Sequence, residues 1–299
     1  MSIKEFGVLF MVCLIWGLHF IVMKLTIGAT AEPLFYAALR MSIVALLLLP
    51  KLKWHKGYMP HILGAGLGYG ALNYAFMFPA LEMTTASAAA ITIELFVPFS
   101  IILSMIVFKD KIGIYKAIGI ALAFIGVIIL TSAAPDEVAG PKFVLGVMLI
   151  ACAAMSEAVG AVLIKVVKGV GPLQLLAWFS VVGTAVLWPL SLALEDNQTT
   201  AFSEDTRLNF GLALLYSSIL VSIVAHSSYY WLIQRLPIYV VSTTGLMTTV
   251  IAVIGSILIL NEALTIQLLI GGLMTLFGIA LILVRKKSLA QEIISVNSN

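Results

Sequence analysis

Residues 81–98 have the sequence LEMTTASAAAITIELFVP, and the apolar run continues to Phe108. The stretch is apolar enough to lie in a bilayer, yet it carries Glu94 near its middle and Pro98 four residues later. A charged side chain at mid-depth costs about 2.5–3.5 kcal/mol even on the scale derived from insertion experiments. Pro98 withdraws a backbone donor and frees a carbonyl one turn back. A costly acid and a weakened helix in one segment predict a site that handles a solute.

The composition is that of an integral membrane protein. The chain has 299 residues, of which 62% are hydrophobic and only 10% are charged, and its mean hydropathy is +1.12. Soluble domains are about one-quarter charged, and a helix needs about 20 apolar residues to cross the hydrocarbon core. Ten predicted spans, helices 1–10, cover residues 6–27, 33–50, 60–81, 84–108, 112–132, 142–167, 172–194, 208–234, 238–260 and 264–285. The fold class is therefore predicted as an all-α polytopic membrane protein.

The positions of Lys and Arg predict how the helices are oriented. If the N-terminus is inside, thirteen of the 17 basic residues lie on the cytoplasmic side: Lys4, Lys51, Lys53, Lys56, Lys109, Lys111, Lys116, Lys165, Lys168, Arg235, Arg285, Lys286 and Lys287. Lys142 and Arg207 lie outside, and Lys24 and Arg40 lie within spans. Because cytoplasmic loops carry an excess of Lys and Arg, both termini are predicted to be cytoplasmic. The predicted location is the inner (plasma) membrane.

The two halves of the chain are internally similar. A shift of 152 residues superimposes Asp110 on Glu262, Gly119 on Gly271, and Gly126 on Gly278. Each half then has five helices, and because five is odd, the halves insert with opposite orientation, as in the inverted repeats of many secondary transporters. The predicted domains are a first repeat at 1–134, a second repeat at 135–287 and a polar cytoplasmic tail at 288–299.

Nothing in the sequence predicts a cofactor, a metal site or nucleic-acid binding. Cys13 and Cys152 both lie within apolar runs, which favours packing over a disulfide framework or a metal site. The glycine pairs Gly64/Gly68 and Gly66/Gly70 lack the strand context and spacing of a nucleotide-binding loop, so they predict close helix packing. The basic residues lie in short loops rather than on one face, which does not fit a nucleic-acid partner.

Two carboxylates near mid-depth are the leading candidates for a substrate site. Glu94 lies close to the centre of helix 4, and Glu157 lies close to the centre of helix 6. Each can bind a cationic group of a substrate or carry a proton, and ionisable groups inside membranes are functional by default. The alternative is that each is a neutral, hydrogen-bonded acid or a partner for Arg40.

Arg40 lies about midway along helix 2, where its side chain cannot easily reach the interface. It can bind a substrate carboxylate with two parallel hydrogen bonds, or it can hold Glu94 or Glu157 in one conformational state. Lys24 lies nearer the outer end of helix 1, where a side chain that extends to the interface explains it as well.

Six further residues are candidates for the wall of a cavity: Trp16, His19, Asn73, Tyr74, Trp178 and His226. Trp16 and His19 share one face of helix 1, and an aromatic ring at mid-depth can stack on an ammonium group. Asn73 is expected to face inward because an amide exposed to lipid would be unsatisfied. Core packing, or for Trp178 the interfacial aromatic belt, is the alternative for these side chains.

Helix 9 does not repeat the polar chemistry of helix 4. The shift of 152 residues places Leu246 at the position of Glu94 and Val250 at that of Pro98. The same part of helix 9 contains Thr243, Thr244, Thr248 and Thr249. Threonine often bonds to a carbonyl of its own helix, so these residues indicate no particular role. Any site in this protein is therefore predicted to be asymmetric.

The opening of the chain resembles a known family. Trp16-Gly17-Leu18-His19-Phe20, followed by Lys24, Pro33 and Arg40, is similar to the W-G-x-x-F…K…P…R pattern of the drug/metabolite transporter superfamily, EamA type. The turns Phe108–Lys111 and Leu260–Glu262 resemble the G-E-R-type turn of that family. The resemblance implies two five-helix repeats, alternating access and export of amino acids or related metabolites. It also implies a cavity lined by helices 1–4 and 6–9, with helices 5 and 10 peripheral, whereas Glu94 and Glu157 are supported by their depth alone.

These observations lead to the hypothesis of a secondary transporter that exports a small metabolite, an amino acid or a related amine. The expected partners are the small-molecule substrate and the lipid bilayer, and small-residue faces on helices 5 and 10 would allow a homodimer. The alternatives are an importer or exchanger of a cationic solute or drug, a passive channel, and an intramembrane enzyme. The sequence has no G-x-S-x-G, H-E-x-x-H or G-x-x-x-x-G-K-[ST] motif, which disfavours an enzyme and points to a gradient as the driving force.

Overall fold

A computed structural model describes residues 1–132, 140–241 and 243–284. These residues form ten long helical elements: α1 Ile3–Thr26, α2 Pro33–Leu48, α3 as the consecutive segments Met59–Gly66, Leu67–Leu72 and Asn73–Met83, α4 Ala86–Phe108, α5 Ile114–Leu130, α6 Pro141–Ile164, α7 Pro172–Leu194, α8 Arg207–Ile233, α9 Thr243–Ile259 and α10 Ile266–Val284. A short helix, Ile238–Val241, precedes α9. The predicted domain boundary at 134/135 and the predicted tail at 288–299 lie outside the described residues.

The ten predicted spans agree with these ten helices to within a few residues at each end. Seven of them, α1, α2, α4, α6, α7, α8 and α10, are long and apolar enough to cross a membrane, and α5 and α9 are shorter apolar helices. The break between α3 and α4 follows from Thr85, whose hydroxyl accepts the N–H of Ala88 at 3.1 Å and so caps α4. The all-α membrane fold with an inverted repeat is thus confirmed.

The weak point predicted in helix 4 is present in α4. Pro98 has no N–H to donate to the carbonyl of Glu94, four residues earlier. The helix tightens at this point into a 3₁₀ turn, Ile93–Leu95, and the N–H of Phe96 points to the carbonyls of Ile93 and Glu94. The irregular turn therefore coincides with the acid that made this segment costly to bury.

Helices α3 and α8 each contain a π-helical segment that the sequence did not predict. The segment covers Leu67–Leu72 in α3 and Tyr216–Ala225 in α8. The shift of 152 residues places the first segment on residues 219–224, inside the second. In a π turn each N–H bonds to the carbonyl five residues back, and such turns are rare and frequently lie at functional sites. The two repeats therefore share an unusual feature of their third helix.

Helices α5 and α10 cross through four glycines. Gly119 faces Gly278, and Gly126 faces Gly271. A Cβ added at any of the four would lie 2.6 Å from the carbonyl oxygen of the facing glycine. The two backbones therefore approach more closely than any other residue type would permit.

This crossing has the symmetry expected of an inverted repeat. The shift of 152 residues converts the contact of Gly119 with Gly278 into the contact of Gly271 with Gly126. Between these contacts, the hydroxyl of Thr275 donates to the carbonyl of Ala123 at 3.4 Å, and these two residues are themselves equivalent under the shift. Reciprocal contacts of this kind identify a two-fold relation, so the pseudo-two-fold axis passes between Ala123 and Thr275.

The glycine pairs of α3 pack as the sequence predicted. Gly64 and Gly68 face α6, where a Cβ on Gly68 would lie 2.4 Å from the carbonyl oxygen of Ser156. Gly66 and Gly70 face α7, along Phe179 and its neighbours. The prediction of close helix packing is confirmed, and α3 is held in a groove between two helices of the other repeat.

We expect Gly271→Ala to lower the thermal unfolding midpoint of the purified protein. The added methyl group would overpack the crossing of α5 and α10, and overpacking typically costs about 1–3 kcal/mol. Gly211→Ala is the matched control, because nothing lies within 4 Å of a Cβ at this helical position. Its midpoint should stay the same or rise, since alanine favours a helix over glycine by up to about 1 kcal/mol. Equal midpoints for the two variants would contradict the close crossing.

Candidate functional site

A cavity of about 650 Å³ lies between the two repeats. Its wall is formed by Trp16, Met41, Tyr69, Gly70, Tyr74, Ile93, Glu94, Phe96, Val97, Glu157, Ala161, Ile164, Pro172, Leu175, Leu176, Phe179, Ser222, His226, Tyr229, Tyr230, Thr244, Gly245, Ile279 and Leu283. We call the end of the bundle where α1 begins and α4 ends the lysine-rich end, since Lys51, Lys109 and Lys165 follow the helices there, and the other end the far end. The cavity runs from the middle of the bundle toward the lysine-rich end, where Ile164 and Pro172 lie.

Glu94 reaches the cavity from the irregular turn of α4. Its carboxylate accepts a hydrogen bond of 2.9 Å from the hydroxyl of Thr249 on α9. Gly245, one turn before Thr249, provides the space for this contact, because a Cβ at that position would lie 3.1 Å from the carboxylate. An acid of the first repeat is thus held by a helix of the second.

Glu157 reaches the same cavity from α6. Its carboxylate accepts a hydrogen bond of 3.3 Å from the amide of Asn73, which also donates to the carbonyl of Ala153 at 3.2 Å. Asn73 follows the π-helical segment of α3 directly, so an acid of the second repeat is held by a helix of the first. Both acids therefore line the same cavity.

Neither acid has a basic partner among the described residues. Over residues 1–132, 140–241 and 243–284, the single ion pair within 4 Å joins Lys165 to Asp110, outside the cavity wall. Glu94 and Glu157 therefore face the cavity without a compensating cation from the described part of the chain. A carboxylate away from water is strongly destabilised unless it is paired or protonated, so the cavity favours a cationic guest or a bound proton.

Arg40 is fully buried behind the cavity wall. Its guanidinium lies 3.1 Å from the hydroxyl of Ser222 and 3.3 Å from the ring of His19, and it stacks 4.9 Å from the centre of the Tyr74 ring. Ser222 and Tyr74 form part of the wall, so Arg40 is one side chain away from the cavity. No carboxylate of the described residues lies within 4 Å of it, and it pairs with neither Glu94 nor Glu157 in this conformation.

Aromatic rings make up much of the remaining wall. The Trp16 ring lies 5.2 Å from the rings of both His226 and Tyr229. His226 is fixed by a hydrogen bond of 2.9 Å to the carbonyl of Val221, in the π-helical segment of α8. On the opposite side, Tyr69 stacks on Phe179 with ring centres 5.3 Å apart. Rings of this type can contact an apolar body or a cation of a bound molecule.

The structure brings together most of the residues that were candidates from the sequence. Glu94, Glu157, Trp16, Tyr74 and His226 line the cavity. His19, Arg40 and Asn73 lie directly behind it, each in contact with another member of this group. Trp178 lies apart from the cavity wall, since its indole N–H donates to the carbonyl of Lys53 at 3.0 Å and its ring packs against Trp54.

Several residues of the site were not among the candidates. Thr249 supplies the only hydrogen bond to Glu94 among the described side chains, although threonines on a helix carry little information in a sequence. Tyr230, near the end of α8, lines the cavity near the lysine-rich end. The expectation that helix 10 is peripheral is also wrong at this end, because Ile279 and Leu283 of α10 form part of the wall.

The far end of the bundle is closed by polar contacts and packed rings. Lys24 donates to the carbonyls of Leu81 and Thr84 at 2.5 and 2.6 Å. Its side chain therefore joins helices, whereas its position in the sequence suggested that it extends to the membrane interface. At the same end, five rings pack together: Phe35, Tyr36, Phe78, Phe202 and Phe210. The cavity is thus reached from the lysine-rich end and blocked toward the far end.

Two carboxylates at the far end bind the first backbone N–H groups of helices. Glu195 accepts from Leu34 and Phe35 at the start of α2, at 2.6 and 2.8 Å. Burial raises the pKa of Glu195, and hydrogen bonds from Ser191 and from this helix start oppose the rise. Glu262 accepts from the start of α4 in the same way. Both contacts join segments that are distant in sequence, and so they hold the far end together.

Comparison with known proteins identifies the family. The EamA-like transporter family matches residues 5–132 and again residues 144–284, once in each half of the chain. The chain is 27% identical over 286 residues to a protein of Escherichia coli named as a probable amino-acid metabolite efflux pump, with 93% of this chain and 94% of that protein covered. A protein of the same name from Salmonella typhimurium is similar to the same extent.

One solved structure shares the fold along almost the whole length. It covers 98% of this chain and 99% of its own, with a TM-score of 0.62 and 17% sequence identity. At that identity the likeness concerns the fold alone. The family match covers both repeats, and the chain therefore belongs to the EamA-like transporter family.

Proposed function

We propose that the protein is a secondary transporter that exports a small amine-bearing metabolite, an amino acid or a related amine, by alternating access. The observation that carries the proposal is the pair of acids, Glu94 and Glu157, which face one cavity without a basic partner among the described residues. An ammonium group is the natural guest for such a site, because it compensates the charge that the chain leaves uncompensated.

The rest of the wall suits an amino-acid-like molecule. Trp16, Tyr69 and Phe179 offer ring surfaces for an apolar side chain. Arg40 stands behind Ser222 of the cavity wall, and its positive charge favours a substrate carboxylate there. The two related proteins named as probable amino-acid metabolite efflux pumps support the same class of substrate.

The distribution of lysines supports an orientation for export. With the lysine-rich end in the cytoplasm, both termini are cytoplasmic and the cavity opens to the cytoplasm of the cell. The conformation is then inward-open, ready to take up a substrate from inside, with the far end closed to the outside of the inner membrane. Binding of a substrate and rearrangement of the two repeats would expose the site to the other side.

The closed far end favours a transporter over a passive channel, since a channel needs a continuous path. Transport in the opposite direction, as an importer or exchanger, uses the same site and depends on the gradients. The homodimer that the sequence suggested stays a proposal without support from these faces, because the glycines of α5 and α10 contact each other within the chain.

We expect Glu94→Gln and Glu157→Gln each to reduce counterflow of amine-bearing substrates in proteoliposomes by about tenfold or more, since a charged hydrogen bond contributes about 1.5–3 kcal/mol. The panel contains amino acids, amines and their N-acylated analogues, each with and without a pH gradient. N-acylated analogues lack the ammonium group and should not exchange. Glu204→Gln changes an exposed carboxylate at the far end and is the control. If both cavity variants kept their flux and its pH dependence, the role of the carboxylates would be wrong.

We expect a cysteine in the cavity to be reachable from the cytoplasm only. In a variant without Cys13 and Cys152, Leu176→Cys lies in the cavity wall, whereas Leu187→Cys lies on the same helix but is fully buried toward the far end. A membrane-impermeant maleimide should modify Leu176→Cys in inverted vesicles and leave Leu187→Cys unmodified. Modification of Leu176→Cys in right-side-out vesicles alone would reverse the orientation, and equal modification from both sides would indicate a channel.

A further inference from the structure

The turns that follow α4 and α9 have the same unusual backbone. Lys109 and Asn261 are the residues other than glycine with positive φ among the described residues, at 56° and 54°. They are equivalent under the shift of 152 residues, and each precedes an acid, Asp110 or Glu262. The left-handed conformation costs roughly 1–2 kcal/mol for such residues. Both repeats keep this turn despite its cost. The backbone therefore directs Asp110 and Glu262 in the same way in the two halves.

At the far end this turn holds the bundle closed. The carboxylate of Glu262 accepts the N–H groups of Ala86 and Ser87 at 2.6 and 3.0 Å and the hydroxyl of Ser87 at 2.5 Å. The first N–H groups of a helix have no partner within the helix, so this carboxylate satisfies two of them. It thereby joins the turn after α9 to the start of α4.

At the lysine-rich end the equivalent acid is not engaged in this way. Asp110 accepts from the hydroxyl of Ser104 at 2.7 Å and from the ammonium of Lys165 at 3.2 Å, and its side chain is 51% exposed. The hydrogen bond from Ser104 and the charge of Lys165 hold the pKa of Asp110 below its usual range, so it is a carboxylate at neutral pH. The lysine-rich end is also the open end of the cavity.

The burial of two equivalent serines follows the same difference. Ser104, beside Asp110, is half-buried, whereas Ser256, its equivalent beside Glu262, is fully buried. The carbonyl of Ser256 accepts the N–H of Glu262 at 3.3 Å. Ser256 and Glu262 thus belong to the contact that closes the far end, whereas the equivalent Ser104 and Asp110 lie at the open end of the same molecule.

The repeat also indicates where Asp110 would bind. The shift of 152 residues converts Ala86 and Ser87 into residues 238 and 239, which lead into α9 at the lysine-rich end. In this conformation the cavity separates α4 from α9 there, with Phe96 on one side and Thr244 on the other. Asp110, the acceptor, follows α4, and the N–H groups of residues 238 and 239, the donors, precede α9. They therefore lie on opposite sides of the cavity opening at the lysine-rich end.

We infer that Asp110 is the counterpart of Glu262, and that the two acids close opposite ends of the cavity in turn. When the lysine-rich end closes, Asp110 leaves Ser104 and Lys165 and binds the backbone N–H groups of residues 238 and 239. Glu262 then releases Ala86 and Ser87, and the far end opens. Lys165 holds Asp110 in the open position and so opposes closure. This inference rests on the proposed alternating access.

The test measures the two conformations without any substrate. In protein without Cys13 and Cys152, reconstituted in nanodiscs, the rate of maleimide modification is measured for Leu176→Cys in the cavity wall and for Ser256→Cys at the closed end. Asp110→Asn should slow modification of Ser256→Cys about tenfold and leave Leu176→Cys reactive. The reason is that the state with an open far end loses the contact of the Asp110 carboxylate with residues 238 and 239, so this state becomes less populated. Glu262→Gln should have the opposite effect, with faster modification of Ser256→Cys.

Lys165→Met separates this inference from a simpler role of Asp110. If Asp110 acts as a closing residue, removal of Lys165 frees it, so modification of Ser256→Cys becomes faster. If Asp110 serves only to bind Lys165, then Lys165→Met and Asp110→Asn shift the rates in the same direction, and the inference is overturned. Asp205→Asn, at an exposed position of the far end, is the control for loss of a charge and should leave both rates unchanged.

The outcome also distinguishes this inference from the proposed function. If Leu176→Cys and Ser256→Cys respond in opposite directions to Glu262→Gln, the protein alternates between two states, whatever Asp110 does. If both positions become reactive together, alternating access itself is wrong. A variant that fails to fold is recognised by its elution volume in gel filtration. Asp110→Glu keeps the charge and should retain the modification rates of the parent protein.

Discussion

The close contact of α5 and α10 is the constraint on which the rest of the structure depends. Gly119, Gly126, Gly271 and Gly278 bring two backbones together around the pseudo-two-fold axis, and any larger residue would separate them. Since α5 does not line the cavity and α10 borders it only at the lysine-rich end, this crossing fixes the two repeats to each other outside the site. The other eight helices surround the cavity, where the two repeats also meet through Gly68 and Gly70 of α3 against α6 and α7, and through hydrogen bonds.

Within that scaffold, the polar chemistry of the site does not follow the symmetry. Glu94 of the first repeat is held by Thr249 of the second, and Glu157 of the second is held by Asn73 of the first. Each repeat thus supplies the hydrogen-bond donor for the acid of the other repeat. However, the shift of 152 residues does not superimpose these four residues on one another. The candidate site is therefore asymmetric, whereas the turns after α4 and α9, at the two ends of the bundle, are equivalent under the shift of 152 residues.

Much of the fold and part of the site could be predicted from the sequence. Apolar runs of membrane length gave the ten helices, and the depth of Glu94 and Glu157 in these runs singled out the acids because charge is costly there. The π-helical segments could not be predicted, since a single extra residue per turn leaves no periodic pattern. Trp178 and Tyr230 have similar positions near helix ends, and only packing shows that Tyr230 lines the cavity and Trp178 does not.

The π-helical segments of α3 and α8 also bear on how the molecule changes shape. Both segments touch the cavity, through Tyr69 and Gly70 on one side and Ser222 on the other. Where backbone hydrogen bonds change their spacing, a helix bends more readily than along its regular turns. The two repeats therefore carry matched irregular segments at the depth of the cavity, and these are the places where the proposed alternating access would bend α3 and α8.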